Sequence, residues 1–128
     1  MTQRFRLTIA QLNPTVGALT DNAAQTRAAW VTAKEAGADM VALPEMFLSG
    51  YQVQDLVMKP AFVADVARQI EALAADCADG PAIGIGGPWQ EGDHLHNTYF
   101  ILHQGKVQAR IFKHELPNTG VFDEVRLY

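Results

Sequence analysis

Cysteine is almost absent from this chain. Cys77 is the only one in 128 residues, which excludes an intramolecular disulfide and gives no sign of an oxidising compartment. Positive charge is also sparse, with ten Lys and Arg against fourteen Asp and Glu and a formal net charge of −4. Domains that grip phosphate backbones carry a basic patch, so nucleic acid is not an expected partner. No apolar run is long enough to span a bilayer, and the start MTQRFRLTIAQ lacks the apolar segment of a secretory leader. A cytoplasmic protein without a membrane partner is therefore expected. Repeats, low-complexity tracts and linkers are missing as well.

What is present is apolar content of 48%, enough to fill the core of one modest domain. Residues 4–12 alternate, with Phe5, Leu7 and Ile9 on one side, which predicts a first strand with one well-buried face. Asp21 can cap a helix running to about Glu35, with Ala24, Ala28 and Val31 on its apolar face, Trp30 beside that face and Gly37 ending it in the left-handed conformation. Residues 39–43 read as a strand buried on both faces of a β-α-β unit. Lys59-Pro60 introduces a second helix, on which Phe62, Val66, Ile70, Leu73 and Cys77 recur at helical spacing. That places Cys77 in the core as a small apolar residue, without the electropositive, partly open setting of a nucleophile.

Residues 82–87 read as another buried strand. Gly84, Gly86 and Gly87 form a weak glycine motif there. A phosphate loop needs a helix directly afterwards, and Pro88-Trp89 with the acidic turn at 91–93 argues against one. Close backbone packing against a neighbour is the better reason for the small residues. Residues 97–102 and 106–112 flank Gln104-Gly105 as a hairpin. His94 and His96 alternate on one side of a strand, without carboxylate or thiolate company at ligand spacing, and His103 and His114 supply no third ligand, so no metal site is expected. The predicted order is β-α-β-α-β-β-β, an α/β layer whose sheet still has partners to find.

Two stretches carry the chemistry. LPEMFLSGY, residues 43–51, places Glu45 just after one predicted strand; FKHELPNTGVFDEVRLY, residues 112–128, places Lys113 just after another. A carboxylate and an ammonium at strand ends can meet on one rim of a sheet, where open α/β folds bind ligands. A plain ion pair explains the same residues, and the residue types alone leave both readings open.

Together the stretches resemble the glutaminase domain of glutamine-dependent NAD synthetases, a branch of the nitrilase, or carbon–nitrogen hydrolase, superfamily. That pattern is LPE followed by Gly-Tyr, then a lysine before LPN-x-GVFDE-x-R, then a nucleophilic cysteine. Glu45, Gly50, Tyr51, Lys113, Leu116, Pro117, Asn118, Gly120, Val121, Phe122, Asp123, Glu124 and Arg126 stand at matching places, and no cysteine follows Lys113. The resemblance runs from about Arg6 to Tyr128. It implies part of a four-layer α-β-β-α sandwich, truncated to its first half, with residues 1–128 as the leading portion of one glutaminase domain and the synthetase domain absent. An unpaired sheet edge and exposed apolar surface should follow.

The resemblance makes Glu45 the general base and Lys113 the stabiliser of the tetrahedral intermediate. It assigns Tyr51, Thr119, Phe122 and Glu124 to glutamine. Thr119 stands where related sequences usually have tyrosine. Glu124 is either an orienting partner for the lysine or substrate, or a solvated charge beside Asp123 and Arg126; Arg126 is expected only to brace its loop. In the complete protein, glutamine would yield ammonia for ATP-dependent amidation of nicotinic acid adenine dinucleotide. The implied cofactors, ATP and magnesium, belong to the synthetase domain and none to this portion. The implied partners are glutamine, the rest of its own chain and further copies in a homo-oligomer. These 128 residues alone are expected to be inactive. The other readings are a different amidase or carbamoyl hydrolase of the superfamily, or a non-catalytic interaction module.

Overall fold

The computed structural model describes residues 3–51, 54–114, 118–119 and 122–123, with residues 54–55 and the last four described by backbone alone. The elements are β1 (Leu7–Ile9), α1 (Leu19–Glu35), β2 (Met40–Ala42), a 3₁₀ turn (Gln54–Met58), α2 (Pro60–Asp76), β3 (Ala82–Glu91), β4 (His94–His103) and β5 (Lys106–Phe112), then a short pair, β6 (Asn118–Thr119) and β7 (Phe122–Asp123). Five strands form one sheet in the order β1-β2-β3-β4-β5. β1, β2 and β3 run parallel, as helical crossovers require, whereas β3-β4 and β4-β5 are antiparallel hairpins. Gln104 and Gly105, with φ of 55° and 81°, make the tight β4-β5 turn.

Both helices cover one face of this sheet. Val41, Ile83, Ile85, Phe100 and Leu102 point into them and meet Val66, Ile70, Leu73 and Cys77 from α2 and Ala23, Trp30 and Ala33 from α1. The second helix matches its sequence periodicity, and Pro60 occupies its first turn, where no N–H is needed.

The first helix does not match. Its buried residues are Asn22, Ala23, Thr26, Trp30 and Ala33, while Ala24, Ala28 and Val31 face solvent. Asp21 lies within the first turn and does not cap it; Ala18 is the capping position, with no side-chain hydrogen bond. Two polar residues on the buried stripe hid the true face: Asn22 and Thr26 are fully buried because their hydrogen bonds are made internally. Trp30 lies on the buried stripe itself and donates from Nε1 to the carbonyl of Pro81 at 2.9 Å. Gly37 ends the helix with φ 73°, as read.

The strands also depart from expectation on one face. Phe5, Leu7 and Ile9 are exposed, Ile9 by 68%, in place of the well-buried side predicted for them. β2 is buried through Val41 alone, with Met40 and Ala42 only partly covered. The reason is the layer count. Leu7, Ile9, Met40, Ala42, Tyr99, Ile101 and Ile111 share the face opposite the helices by strand register. Two helices on one side of a sheet leave that face open.

Candidate functional site

Glu45 and Lys113 meet. Lys113 Nζ donates to Glu45 Oε1 at 2.8 Å. β2 and β5 are separated in the sheet by β3 and β4, so proximity of strand ends does not by itself explain this contact. The chain beyond β2 makes the crossing. Leu43 N–H donates to Gly84 O at 2.7 Å and Leu48 N–H to Gly86 O at 3.0 Å, which lays residues 43–48 against β3. A Cβ on Gly86 would lie 2.9 Å from Glu45 Cα and 2.8 Å from its carbonyl carbon. Only a glycine admits the backbone there, so the close packing read from the glycine motif is present and the glutamate is carried across β3 toward β4.

Asn97, on β4, receives it. Asn97 Nδ2 donates to Glu45 Oε1 at 2.8 Å, the same oxygen that accepts from Lys113. The Asn97 carbonyl accepts the backbone N–H of Lys113 at 2.9 Å and so fixes where β5 delivers the lysine. Tyr51 joins them, with its hydroxyl 3.4 Å from Lys113 Nζ. Glu45, Asn97, Thr98, Tyr99, Ile111, Phe112 and Lys113 line an open depression of about 210 Å³ at this rim.

The loop carrying Glu45 is held at both ends. Tyr99 donates its hydroxyl hydrogen to Leu43 O at 2.9 Å, and burial pushes the Tyr99 phenol up in pKa. Asn22, fully buried in α1, donates to Leu48 O at 2.9 Å and Thr15 O at 2.8 Å and accepts from Thr15 N–H at 3.0 Å. Between these anchors Met46 adopts φ 53° although it is buried and not glycine, a backbone state of the kind that concentrates where surrounding contacts over-determine a site.

Of the other residues assigned from sequence, Thr119 and Phe122 lie in β6 and β7 with side chains outside the described residues, and Glu124 and Arg126 lie outside them altogether. Asn97, Tyr99, Asn22 and Met46 escaped the sequence reading. Asn97 directly follows DHLH on a strand and looked like an ordinary β residue, so nothing local marked it.

His94 and His96 lie on one side of β4 with ring centroids 6.2 Å apart, and His96 stacks on Phe112 at 4.0 Å. Among the described residues no group of three or more His, Cys, Asp or Glu is arranged to hold a metal ion. Cys77 is buried in the helix-sheet core. Burial pushes its thiol up in pKa, Arg27 opposes this and Asp76 adds to it. No helix among the described residues is long and apolar enough to cross a membrane.

A sheet with helices on one face, and a glutamate and a lysine paired on the rim of the other, define the class. The chain belongs to the carbon-nitrogen hydrolase family, which it matches over residues 6–128. It is 58% identical over its whole length to the glutamine-dependent NAD(+) synthetase of Rhodobacter capsulatus, covering 23% of that protein. It is 38% identical to that of Xylella fastidiosa strain Temecula1, covering 24%. The crystal structure of the Cytophaga hutchinsonii glutamine-dependent NAD(+) synthetase superposes on 97% of this chain with a TM-score of 0.91 at 26% identity, over 21% of its own length. The chain thus spans less than a quarter of these relatives, and the resemblance read from its motifs is borne out.

Proposed function

We propose that this chain is the leading portion of the glutaminase domain of a cytoplasmic glutamine-dependent NAD synthetase. The observation that carries the reading is the Lys113–Glu45 contact of 2.8 Å on the open rim. Its side chains retain 28% and 43% exposure, and pairs open to solvent contribute only about 0.2–1 kcal/mol to stability. A loop crossing that demands glycine at 86 and a left-handed Met46 is a large structural outlay for so weak a pair. Positioning for chemistry explains it better than stability does.

In this scheme a cysteine thiol outside these residues attacks the carboxamide carbon of glutamine. Its proton passes to Glu45, its electron pair forms the S–C bond, and the carbonyl π pair moves onto oxygen, where Lys113 meets the developing charge. Glu45 then returns the proton to the departing nitrogen, ammonia leaves, and water hydrolyses the thioester to glutamate. Tyr51, already at Lys113, borders the substrate with Thr119, Phe122 and Glu124. The open sheet face would receive the second sheet of the sandwich from the rest of the chain, and homo-oligomer formation remains part of the proposal. A second domain using ATP and magnesium would consume the ammonia.

The test uses the full-length protein and NAD formation with glutamine or with ammonium salt as nitrogen source. E45Q should lower glutamine-dependent synthesis about 10²–10⁴-fold and leave the ammonium-dependent rate intact. Normal glutamine use by E45Q would overturn the reading.

A further inference from the structure

We infer that Asn97 is a positioning residue that selects which oxygen of Glu45 takes the proton; the inference rests on the glutaminase reading above. Asn97 Nδ2 and Lys113 Nζ both donate to Oε1, each at 2.8 Å. Both hydrogen bonds that the described residues make to this carboxylate end on Oε1. With Oε1 engaged twice, Oε2 is the oxygen left to accept the S–H proton of the attacking thiol and later return it to the leaving nitrogen.

The two donors are not equivalent. The lysine ammonium ends a flexible four-carbon stem and acts as a point charge, which attracts a carboxylate without orienting it. Asn97 presents a planar amide on a short side chain, 3% exposed, from a strand paired on both sides. A glutamate held by charge alone samples several rotamers; one held by this amide keeps a single orientation. Asn97 also accepts the Lys113 backbone N–H through its own carbonyl, a bond that side-chain substitution leaves in place. Changing the side chain therefore removes the orienting amide and keeps the strand register.

The experiment compares N97A and N97D with E45Q in the full-length protein, measuring kcat and KM for glutamine alongside NAD formation from ammonium. Hydrogen bonds to charged groups are among the stronger ones. Both variants should lose about 10- to 100-fold in kcat for glutamine, with N97D the lower because its carboxylate faces another, while KM changes less than about threefold. Ammonium-dependent synthesis should persist and report an intact second domain, while an unchanged cooperative thermal transition should report an intact glutaminase fold. Normal kcat in both variants beside an inactive E45Q would overturn the inference and spare the glutaminase reading. A rise in KM with kcat unchanged would make Asn97 a substrate contact, and loss of the cooperative thermal transition of the glutaminase portion in both variants would make it a folding residue; either overturns the proposal. An active E45Q would instead sink the underlying reading.

Discussion

Gly86 and Glu45 are in backbone contact: a Cβ on the glycine would stand 2.9 Å from the Cα of the glutamate. That contact turns a glycine in the middle of a strand, ordinarily a weak point, into the seat of the proposed base. G86A should displace residues 45–46 away from β3. Overpacking of this kind typically costs about 1–3 kcal/mol, and the same displacement should separate Glu45 from Asn97. A full-length G86A enzyme should therefore lose glutamine-dependent synthesis more steeply than its drop in thermal midpoint implies. G87A is the control, since a Cβ there meets only side-chain atoms at 3.5 Å or beyond. Equal effects from both substitutions would refute the role given to Gly86.

Asn22 ties the β1–α1 loop to the loop after Glu45. Removing its side chain in N22A leaves the buried carbonyl of Leu48 without its donor at 2.9 Å. An unsatisfied buried group costs about 1–3 kcal/mol. Urea denaturation of the 128-residue polypeptide should show a loss in that range, whereas T32A, which removes only an exposed local hydrogen bond to Ala28, should stay within about 0.5 kcal/mol of the parent. A neutral N22A would show that the loop does not depend on this side chain.

Cys77 makes stability fall at alkaline pH. Burial raises its folded-state pKa, so the unfolded chain loses the thiol proton at a lower pH than the folded one. The associated stability is complete below the ordinary thiol value of about 8.5 and is lost as pH rises through the raised value. Tyr99 acts in the same direction, but from about pH 10 upward. Between pH 7.5 and 9.5 the urea midpoint of the parent polypeptide should fall, and that of C77A should fall less. Identical slopes would contradict the assigned shift.

Much of this was legible from sequence because the informative residues were local. The α2 face announced itself through Val66, Ile70 and Leu73, and the β4–β5 turn through Gln104-Gly105. α1 was misread because its buried side holds Asn22 and Thr26, polar residues whose partners lie in other segments or on the helix backbone. β1 was misread because alternation reports which side of a strand is apolar and says nothing about what covers it. Glu45 and Lys113 stood out as charges after apolar runs, but Asn97 did not. Its importance comes from contacts 52 residues away in sequence for Glu45 and from the pairing with the start of the segment after β5. Such relationships have no local signature.

The pairing of Glu45 and Lys113 predicts how their losses combine. Residues that act as one unit give strongly non-additive kinetic effects, because removing either already disables the unit. One carboxylate oxygen holds the ammonium at 2.8 Å, so loss of the Glu45 charge also frees the lysine to move and costs its contact with the developing oxyanion. K113A alone should reduce kcat/KM for glutamine about 10²–10³-fold, the scale of losing one oxyanion donor. The E45Q/K113A double variant should then be little worse than the poorer single one, far short of the product of the two. K113R keeps the charge, but its planar fork cannot reproduce a compact ammonium donating to both Oε1 and the Tyr51 hydroxyl, and it should recover less than a tenth of the parent activity. Glutamine kinetics on the four full-length variants decide the matter. Losses that multiply would mean two independent residues, and a fully active K113R would mean that charge alone is required.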